Sequence, residues 1–232
     1  ARQTIAALVK RFPREAAQIS CISYSGQMHG LVMVDDRGKL IRNAIIWADQ
    51  RSGDEISEIY KVIGKDNYRN VILNSLSTGF LASSLMWVKE HEPENYEKTR
   101  YVMFPKDYIR YRMCGEIGTE MSDASSGAIF DTKKRQWAWD LIEKLGLKKE
   151  IFPESHESCD IAGRVSGECE EQTGLKAGTL IAYGGGDTLM MGVGNGIIVP
   201  GILASNIGTA CQIFGAFDHP VYDPKFRTNT FC

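Results

Sequence analysis

The segment Thr179-Leu180-Ile181-Ala182-Tyr183-Gly184-Gly185-Gly186-Asp187 joins a short apolar run to three glycines and a carboxylate. An apolar run of this length predicts a buried β-strand, and the small residues from Thr188 onward favour a helix. The glycines let the backbone pass close to a ligand and leave the carboxylate uncovered at the start of that helix. We therefore predict a strand, a glycine turn and a helix, with Asp187 at the junction.

Two roles are open for Asp187 on this evidence. An exposed and oriented carboxylate could act as a general base, but the same residue could simply cap the helix that begins at Thr188. A dinucleotide-binding fingerprint fails on spacing, because Gly184 and Gly186 would require glycine at position 189, which is Leu189.

Strand and helix patterns alternate through the rest of the chain. Helical spacing of apolar residues predicts helices at 55–63, 79–89, 106–113, 137–145 and 168–173. Apolar runs predict strands at 18–23, 31–34, 39–47, 102–104 and 202–207. Thr78 is placed to cap the second helix, and residues 122–126 are predicted to form a loop. The alternation predicts a mixed α/β fold.

A polar loop lies between the first two predicted strands. Gln27, Met28 and His29 offer a donor, an acceptor and a soft apolar contact within three residues. That combination suits a ligand with many hydroxyl groups and one apolar side. A lone histidine after a strand is also often a structural group, so both interpretations stay open.

A second group of candidate residues follows the predicted strand 39–47. Side chains two residues apart on a strand point to the same face, so Trp47, Asp49 and Arg51 would present a ring and two charges together. This set fits sugar binding, and it fits a surface ion pair on an edge strand equally well. Further along, Gly208 and Thr209 form a turn whose amides and hydroxyl could hold a phosphate.

Composition excludes several classes of protein. The 232 residues carry a formal net charge of −2 and show no basic surface of the kind that nucleic-acid binding requires. The longest apolar stretch, 192–204, is interrupted by glycines, Asn195 and Pro200 and is too short to cross a membrane. The six cysteines have no zinc-binding spacing, so we expect reduced thiols, no metal site built from these side chains and a cytoplasmic location. Ala1 opens a polar stretch rather than a signal peptide, which predicts an internal segment.

Five motifs, taken together and in this order, resemble those of the xylulokinases in the FGGY family of carbohydrate kinases. They are Ser25–Gly30 (SGQMHG), Trp47–Arg51 (WADQR), Pro105–Arg110 (PKDYIR), Met121–Ala124 (MSDA) and Gly184–Asp187 (GGGD). The likeness extends over nearly the whole chain. The first and third motifs are specific, whereas the Gly-Thr turn is shared with the wider actin and hexokinase-like superfamily.

The resemblance implies two ribonuclease H-like α/β domains that close over a cleft, the first binding a sugar and the second binding ATP. Residues 1–200 would form most of the first domain, and 201–232 would begin the second. The first domain would be incomplete, because the family's opening strands, with an Asp-x-Gly-Thr motif, would precede Ala1. A homodimer is also expected.

The resemblance further implies an activity: ATP-dependent phosphorylation of a sugar, with D-xylulose favoured, Mg²⁺ on the phosphates and Asp187 as catalytic base. The residues implied to bind the sugar are Gln27, Met28, His29, Trp47, Asp49 and Thr188. Gly208 and Thr209 would approach the ATP phosphates. The family usually has asparagine at the position of Thr188, so another pentulose or a sugar acid stays open as the substrate. A non-catalytic sugar-binding or regulatory module and an ordinary α/β domain are the alternatives.

Overall fold

The computed structural model of the protein describes residues 1–207 and 211–232. Within them, the helices are α1 (Arg2–Arg11), α2 (Pro13–Ala16), α3 (Gly53–Ile63), α4 (Lys65–Ile72), α5 (Leu81–His91), α6 (Pro93–Lys98), α7 (Pro105–Cys114), α8 (Met121–Ser126), α9 (Trp139–Lys144), α10 (Gly167–Thr173) and α11 (Asp187–Gly194), with a 3-10 turn at Lys149–Ile151. The strands are β1 (Cys21–Ile22), β2 (Ser25–Gly26), β3 (Val32–Val34), β4 (Tyr101–Met103), β5 (Thr119–Glu120), β6 (Phe130–Asp131), β7 (Gln136–Trp137), β8 (Ser155–His156), β9 (Ile161–Arg164), β10 (Leu180–Ala182), β11 (Gly185–Gly186), β12 (Leu203–Ile207) and β13 (Cys211–Gly215). The alternation of helices and strands confirms the predicted α/β class.

Two stretches of chain, distant in sequence, run side by side as parallel strands. β1 pairs with β10, and further along Ser25 pairs with Gly185 and Gly26 with Gly186. β9 pairs with the other edge of β10 in the antiparallel direction. The carboxyl ends of β2 and β11 therefore lie together, and such ends are where α/β proteins commonly bind ligands.

Gly184 is one extra residue in the second of these stretches. The pairing shifts by one residue between Ile22↔Ile181 and Ser25↔Gly185. Gly184 has a φ of 78°, and a Cβ there would collide with the carbonyl oxygen of Tyr24. Only glycine fits such a bulge, and the bulge lets β11 resume pairing with β2.

The predicted strand 39–47 is wrong. Single bridges join Val34 to Leu40 and Leu31 to Ile45, and no ladder forms between them. Arg42, in the middle of the run, instead points to Glu92, with Nε 2.8 Å from Oε2. An ion pair in the middle of the apolar run explains why regular pairing stops there.

Residues 121–126 form helix α8 and not the predicted loop. Glu120 caps this helix, because its carboxylate accepts hydrogen bonds from the backbone nitrogens of Ser122 at 2.7 Å and Asp123 at 2.9 Å. The serines that suggested a loop are buried, and their hydroxyls bond inside the protein. Polar composition was misleading here because the polar groups face the interior.

Thr78 does not cap helix α5 as predicted. The N-cap residue is Phe80, and the Thr78 hydroxyl donates to Gln50 Oε1 at 3.2 Å. Gly79, with a φ of 72°, turns the chain between Thr78 and the helix. Ser83 instead reaches back to the carbonyl oxygen of Ser77 at 2.8 Å.

Two large hydrophobic cores among the described residues support the strands, beside a third, small group of Val32, Val34 and Met103. The larger one includes Leu31, Ile45, Ile59, Tyr68, Leu85, Phe104, Phe130, Trp137 and Ile142. The smaller one includes Met113, Val165, Cys169, Leu175, Ile181 and Tyr183. Within the described residues, no helix combines the length and the apolar character that crossing a membrane requires.

After Pro200 the chain forms the antiparallel pair β12 and β13, and it then returns to the earlier residues. The Asn74 side chain bonds the backbone of Thr230 twice, at 2.7 and 2.6 Å. The backbone nitrogen of Cys232 donates to Ser125 Oγ at 3.0 Å. A second domain that begins near Pro200 stays a prediction, and residues 230–232 pack on the first 200 residues.

Candidate active site

Asp187 occupies the first turn of α11, directly after β11. Its side chain is exposed, and Oδ1 accepts a hydrogen bond from the Thr188 nitrogen at 2.8 Å. The N-cap residue of the helix is Gly186. Asp187 is therefore the first residue of the helix and not its N-cap, and its bond to Thr188 uses one carboxylate oxygen and leaves the other for a ligand.

Met28 packs directly against the glycine turn, residues Gly184–Asp187. Met28 is buried, and a Cβ added to Gly186 would lie 2.6 Å from its Cγ. Any side chain at position 186 would displace Met28, so glycine is needed for this close approach. The 27–29 loop and the glycine turn are thus in contact.

His29 is held from two sides. Its backbone lies in the left-handed region with a φ of 73°, and its ring stacks on Phe80. Nδ1 lies 2.7 Å from the carbonyl oxygen of Ser126. Because a carbonyl oxygen only accepts, Nδ1 carries the proton and the neutral ring keeps Nε2 as an acceptor. Burial lowers the pKa of His29, against the hydrogen bond to Ser126 and the charge of Asp187.

Gln27 and Thr188 lie at the same end of the parallel pair. Gln27 directly follows β2, Thr188 directly follows Asp187, and both are half-buried. The structure therefore brings Gln27, Met28, His29, Asp187 and Thr188 to one place.

Trp47 lies in a turn and not at the end of a strand, so the alternation predicted for residues 47–51 is wrong. Its side chain is 57% exposed. Its carbonyl oxygen packs against Gly79, where a Cβ would come within 2.5 Å. The backbone of Trp47 therefore lies next to Gly79, the residue before Phe80. A sugar contact by the Trp47 ring stays a prediction.

Asp49 is engaged by a neighbour. Its Oδ1 lies 2.8 Å from Nε of Arg51, and this hydrogen bond lowers the pKa of Asp49. The Arg51 guanidinium in turn lies 4.8 Å from the ring centroid of Trp87. These contacts are those of an exposed ion pair, as one of the two interpretations predicted. A sugar contact by Asp49 stays a prediction.

Gly208 and Thr209, the residues predicted to approach phosphate, lie outside the described residues. Within 1–207 and 211–232, three side chains are close enough to share a metal ion at Glu55, Glu90 and His91, and this group includes none of the predicted site residues.

A family model for the N-terminal domain of the FGGY family of carbohydrate kinases matches residues 1–194. The chain belongs to this family. Xylulose kinase of Bacillus subtilis (strain 168) is 35% identical over 229 residues, which are 99% of this chain and 46% of that protein. The FGGY chain thus spans about half the length of the curated relatives it matches.

Solved structures share the fold of this FGGY chain. The crystal structure of a xyloylose kinase from Brucella ovis matches with a TM-score of 0.93 and 32% identity, over 100% of this chain and 48% of that chain. Gluconate kinase from Lactobacillus acidophilus matches with a TM-score of 0.89 and 22% identity, over 99% of this chain and 48% of that chain. The fold is that of the actin/hexokinase-like ATPases, which confirms the predicted ribonuclease H-like class.

Sequence reasoning missed a buried ion cluster in the FGGY domain. Its members, each at most 3% exposed, are Lys106, Asp107, Arg110, Glu120 and Asp123. The Lys106 Nζ lies 2.9 Å from Asp107 Oδ1, 3.3 Å from Glu120 Oε1 and 3.2 Å from Asp123 Oδ2. Charged residues are almost never buried unless paired, and the helical spacing of 106–113 does not indicate the partners at Glu120 and Asp123.

The charges of this cluster balance when Asp123 holds a proton. Burial would lower the pKa of Lys106, but the carboxyl groups of Asp107, Asp123 and Glu120 raise it above its ordinary value. Burial raises the pKa of Asp123 well above its ordinary range, although the charge of Lys106 opposes this. Two cations then face two carboxylates and one neutral carboxyl group.

Proposed function

We propose that the protein is a carbohydrate kinase that transfers a phosphoryl group from ATP to D-xylulose, giving D-xylulose 5-phosphate. The observation that carries the proposal is the contact between the glycine turn and the 27–29 loop. Gly186, the residue before the exposed Asp187, packs against the buried Met28, and the next loop residue, His29, has no hydrogen bond to Nε2 among the described residues. The ketose is supported by the xylulose kinase relative that is 35% identical to this chain.

Asp187 is proposed to act as the general base. The sugar oxygen attacks the γ-phosphorus as its O–H bond breaks, the proton passes to the carboxylate, and ADP leaves as the P–O bond to it breaks. An alcohol is a poor acid, so the proton moves late and much of the benefit comes from orienting the hydroxyl. The exposed position of Asp187 suits this role, because the carboxylate can reach a ligand directly.

The 27–29 loop is proposed to hold the sugar. His29 Nε2 accepts a hydrogen bond from a sugar hydroxyl, and Met28 forms the apolar side of the site. Gln27 and Thr188 lie close enough to the loop and the base to add polar contacts, and Trp47 and Asp49 complete the proposed set. A hydroxyl at position 188 is shorter than an asparagine side chain, so other pentuloses and sugar acids belong in the substrate panel.

ATP and Mg²⁺ are proposed as co-substrate and metal. Mg²⁺ usually keeps several waters and binds through the phosphates, which leaves the free oxygen of Asp187 for the sugar hydroxyl. When bound, the metal would neutralise charge on the phosphates. A cytoplasmic location and a homodimer belong to the same proposal.

The test is Asp187→Asn in the full-length protein that carries this sequence. We expect kcat to fall by about 10²- to 10⁴-fold, the usual contribution of a general base. Asp140→Asn is the matched control, because Asp140 is also an exposed aspartate in the first turn of a helix. Its kcat should equal that of the wild type, and both variants should melt at the wild-type temperature.

Three outcomes would argue against the proposal. A near-normal kcat in Asp187→Asn would show that this residue has only a structural role at the start of α11. Phosphorylation of another sugar in preference to xylulose would correct the substrate. Calorimetric binding of xylulose without turnover in the wild type would instead support a non-catalytic sugar-binding module.

A further inference from the structure

The peptide that joins Gly185 to Gly186, just before Asp187, is bonded to helix α8. The Gly186 nitrogen donates to Ser122 Oγ at 2.9 Å, and Ser122 is 2% exposed. The preceding amide behaves differently, because the Gly185 nitrogen donates to the carbonyl oxygen of Tyr24 at 3.0 Å. Strand pairing therefore holds the Gly185 amide N–H, whereas a side chain holds the Gly186 amide N–H.

The orientation of the Ser122 hydroxyl is determined by its second partner. Ser122 Oγ lies 2.8 Å from Oε1 of Glu120. A carboxylate only accepts, so the single hydroxyl proton points to Glu120 and a lone pair faces the Gly186 amide. One orientation satisfies both bonds.

Glu120 is in turn fixed on all sides. Its oxygens accept from the backbone nitrogens of Ser122 and Asp123 and from the Ser158 hydroxyl at 3.0 Å. Lys106 Nζ lies 3.3 Å from the oxygen that receives the Ser122 proton. Because Glu120 and Lys106 are buried, water does not compete for the Glu120 oxygens, and the hydrogen bonds to Glu120 rigidify the groups that make them.

The other end of α8 holds the 27–29 loop. The backbone nitrogen of His29 donates to Ser126 Oγ at 3.1 Å, and Nδ1 bonds the carbonyl oxygen of the same serine. One helix of six residues therefore contacts both the glycine turn and the histidine. The distance between these two parts of the site depends on α8.

We propose that Ser122 is a positioning residue that holds the Gly185–Gly186 peptide, and through it the Asp187 carboxylate, at the distance that the reaction requires. This inference rests on the proposed role of Asp187 as base. Lys106 and Glu120 act through Ser122 by fixing its hydroxyl. Misplacement of a reacting group by about 1 Å can cost about 10²-fold in rate.

The test compares Ser122→Ala with Ser84→Ala in the full-length protein. Ser84 is a fully buried serine whose Oγ has no hydrogen-bond partner among the described residues, so its variant measures the loss of a buried hydroxyl alone. We expect Ser122→Ala to lower kcat by about 10- to 100-fold with little change in the sugar KM. Ser122→Thr keeps the hydroxyl and should recover most of the rate.

Residue-resolved amide hydrogen exchange gives a second readout that does not depend on activity. The Gly186 amide should lose protection in Ser122→Ala, while the Gly185 amide, bonded to Tyr24, keeps it. If Ser122→Ala does not fold, Ser122→Cys replaces it, because a thiol is a weak acceptor of similar shape.

The outcomes separate this inference from the proposed function. If Asp187→Asn is inactive but Ser122→Ala retains the kcat of Ser84→Ala, the positioning role is wrong and the base role stands. If Ser122→Ala lowers the melting temperature and the protection of both glycine amides together, Ser122 is only structural. If Asp187→Asn is active, the proposed function itself is wrong.

Discussion

The imidazole of His29 stacks on the ring of Phe80, with the two planes 3° apart and the centroids separated by 4.0 Å. His91 makes the same pair of contacts elsewhere in the protein. Its ring stacks on Trp87 at 4.7 Å, and its Nδ1 lies 3.1 Å from the Trp87 carbonyl oxygen. His91 shares this stacking and carbonyl bond with His29 but is exposed and also faces Glu55, and only His29 adjoins the glycine turn.

His29→Ala should raise the KM for the sugar by about 2- to 13-fold, the effect of losing one hydrogen bond to a neutral partner. The KM for ATP should change little, because the proposed bond is to the sugar. His91→Ala should leave both constants unchanged. Steady-state kinetics with each substrate varied decide the matter, and equal increases in both KM values would indicate that His29 is structural.

His29 should also give the protein a pH-dependent stability. Because burial lowers its pKa in the fold, the unfolded chain binds the proton more readily between the folded pKa and the ordinary value of 6.5. The stabilisation is complete above that ordinary value and decreases as the pH falls through the folded pKa.

The difference in unfolding free energy between the wild type and His29→Gln should therefore shrink between about pH 7.5 and about pH 5. Denaturant unfolding at both pH values measures it, and the contributions of the other histidines cancel because both proteins contain them. A difference that is independent of pH would show that His29 titrates normally.

Lys106→Met should destabilise the protein by about 3–5 kcal/mol, because it leaves the carboxyl groups of a buried cluster without their central cation. Lys149→Met is the control. Its Nζ lies 2.5 Å from Glu143, but both side chains are at least half exposed and screened by water, so the expected loss is much smaller. Urea unfolding gives both values, and similar losses in the two variants would mean that the cluster contributes little.

The 232-residue chain by itself should show no measurable xylulose kinase activity and should self-associate. Large apolar side chains are exposed on β12 and β13, including Leu203 at 68%, Ile207 at 79% and Ile213 at 71%. Exposed patches of this kind drive association. A coupled ADP-release assay and light scattering test the two parts, and rapid turnover by a stable monomer would contradict both.

The sequence predicted the parts of the site that depend on backbone chemistry. Three glycines before a carboxylate specify the turn at Asp187, and the order of motifs indicated that the 27–29 loop belongs with it. The predictions of a strand at 39–47 and a loop at 122–126 were wrong, because side-chain contacts determine the structure of both segments. Arg42 forms an ion pair with Glu92, and the strand pattern around it is interrupted. The α8 serines form hydrogen bonds inside the protein, whereas their polar composition predicts exposure to solvent. Neither partner can be read from local periodicity.

The pairing of Ser25 with Gly185 also affects how the protein is made. Residues 27–29 leave the ribosome long before the glycine turn, and the strand that orders them is synthesised almost last among the first 200 residues. Contacts between such distant segments form slowly, since a long loop must close first. We expect the 27–29 loop to gain its native geometry only after synthesis has passed Asp187, so nascent chains that end earlier should be sensitive to proteases at residues 21–30.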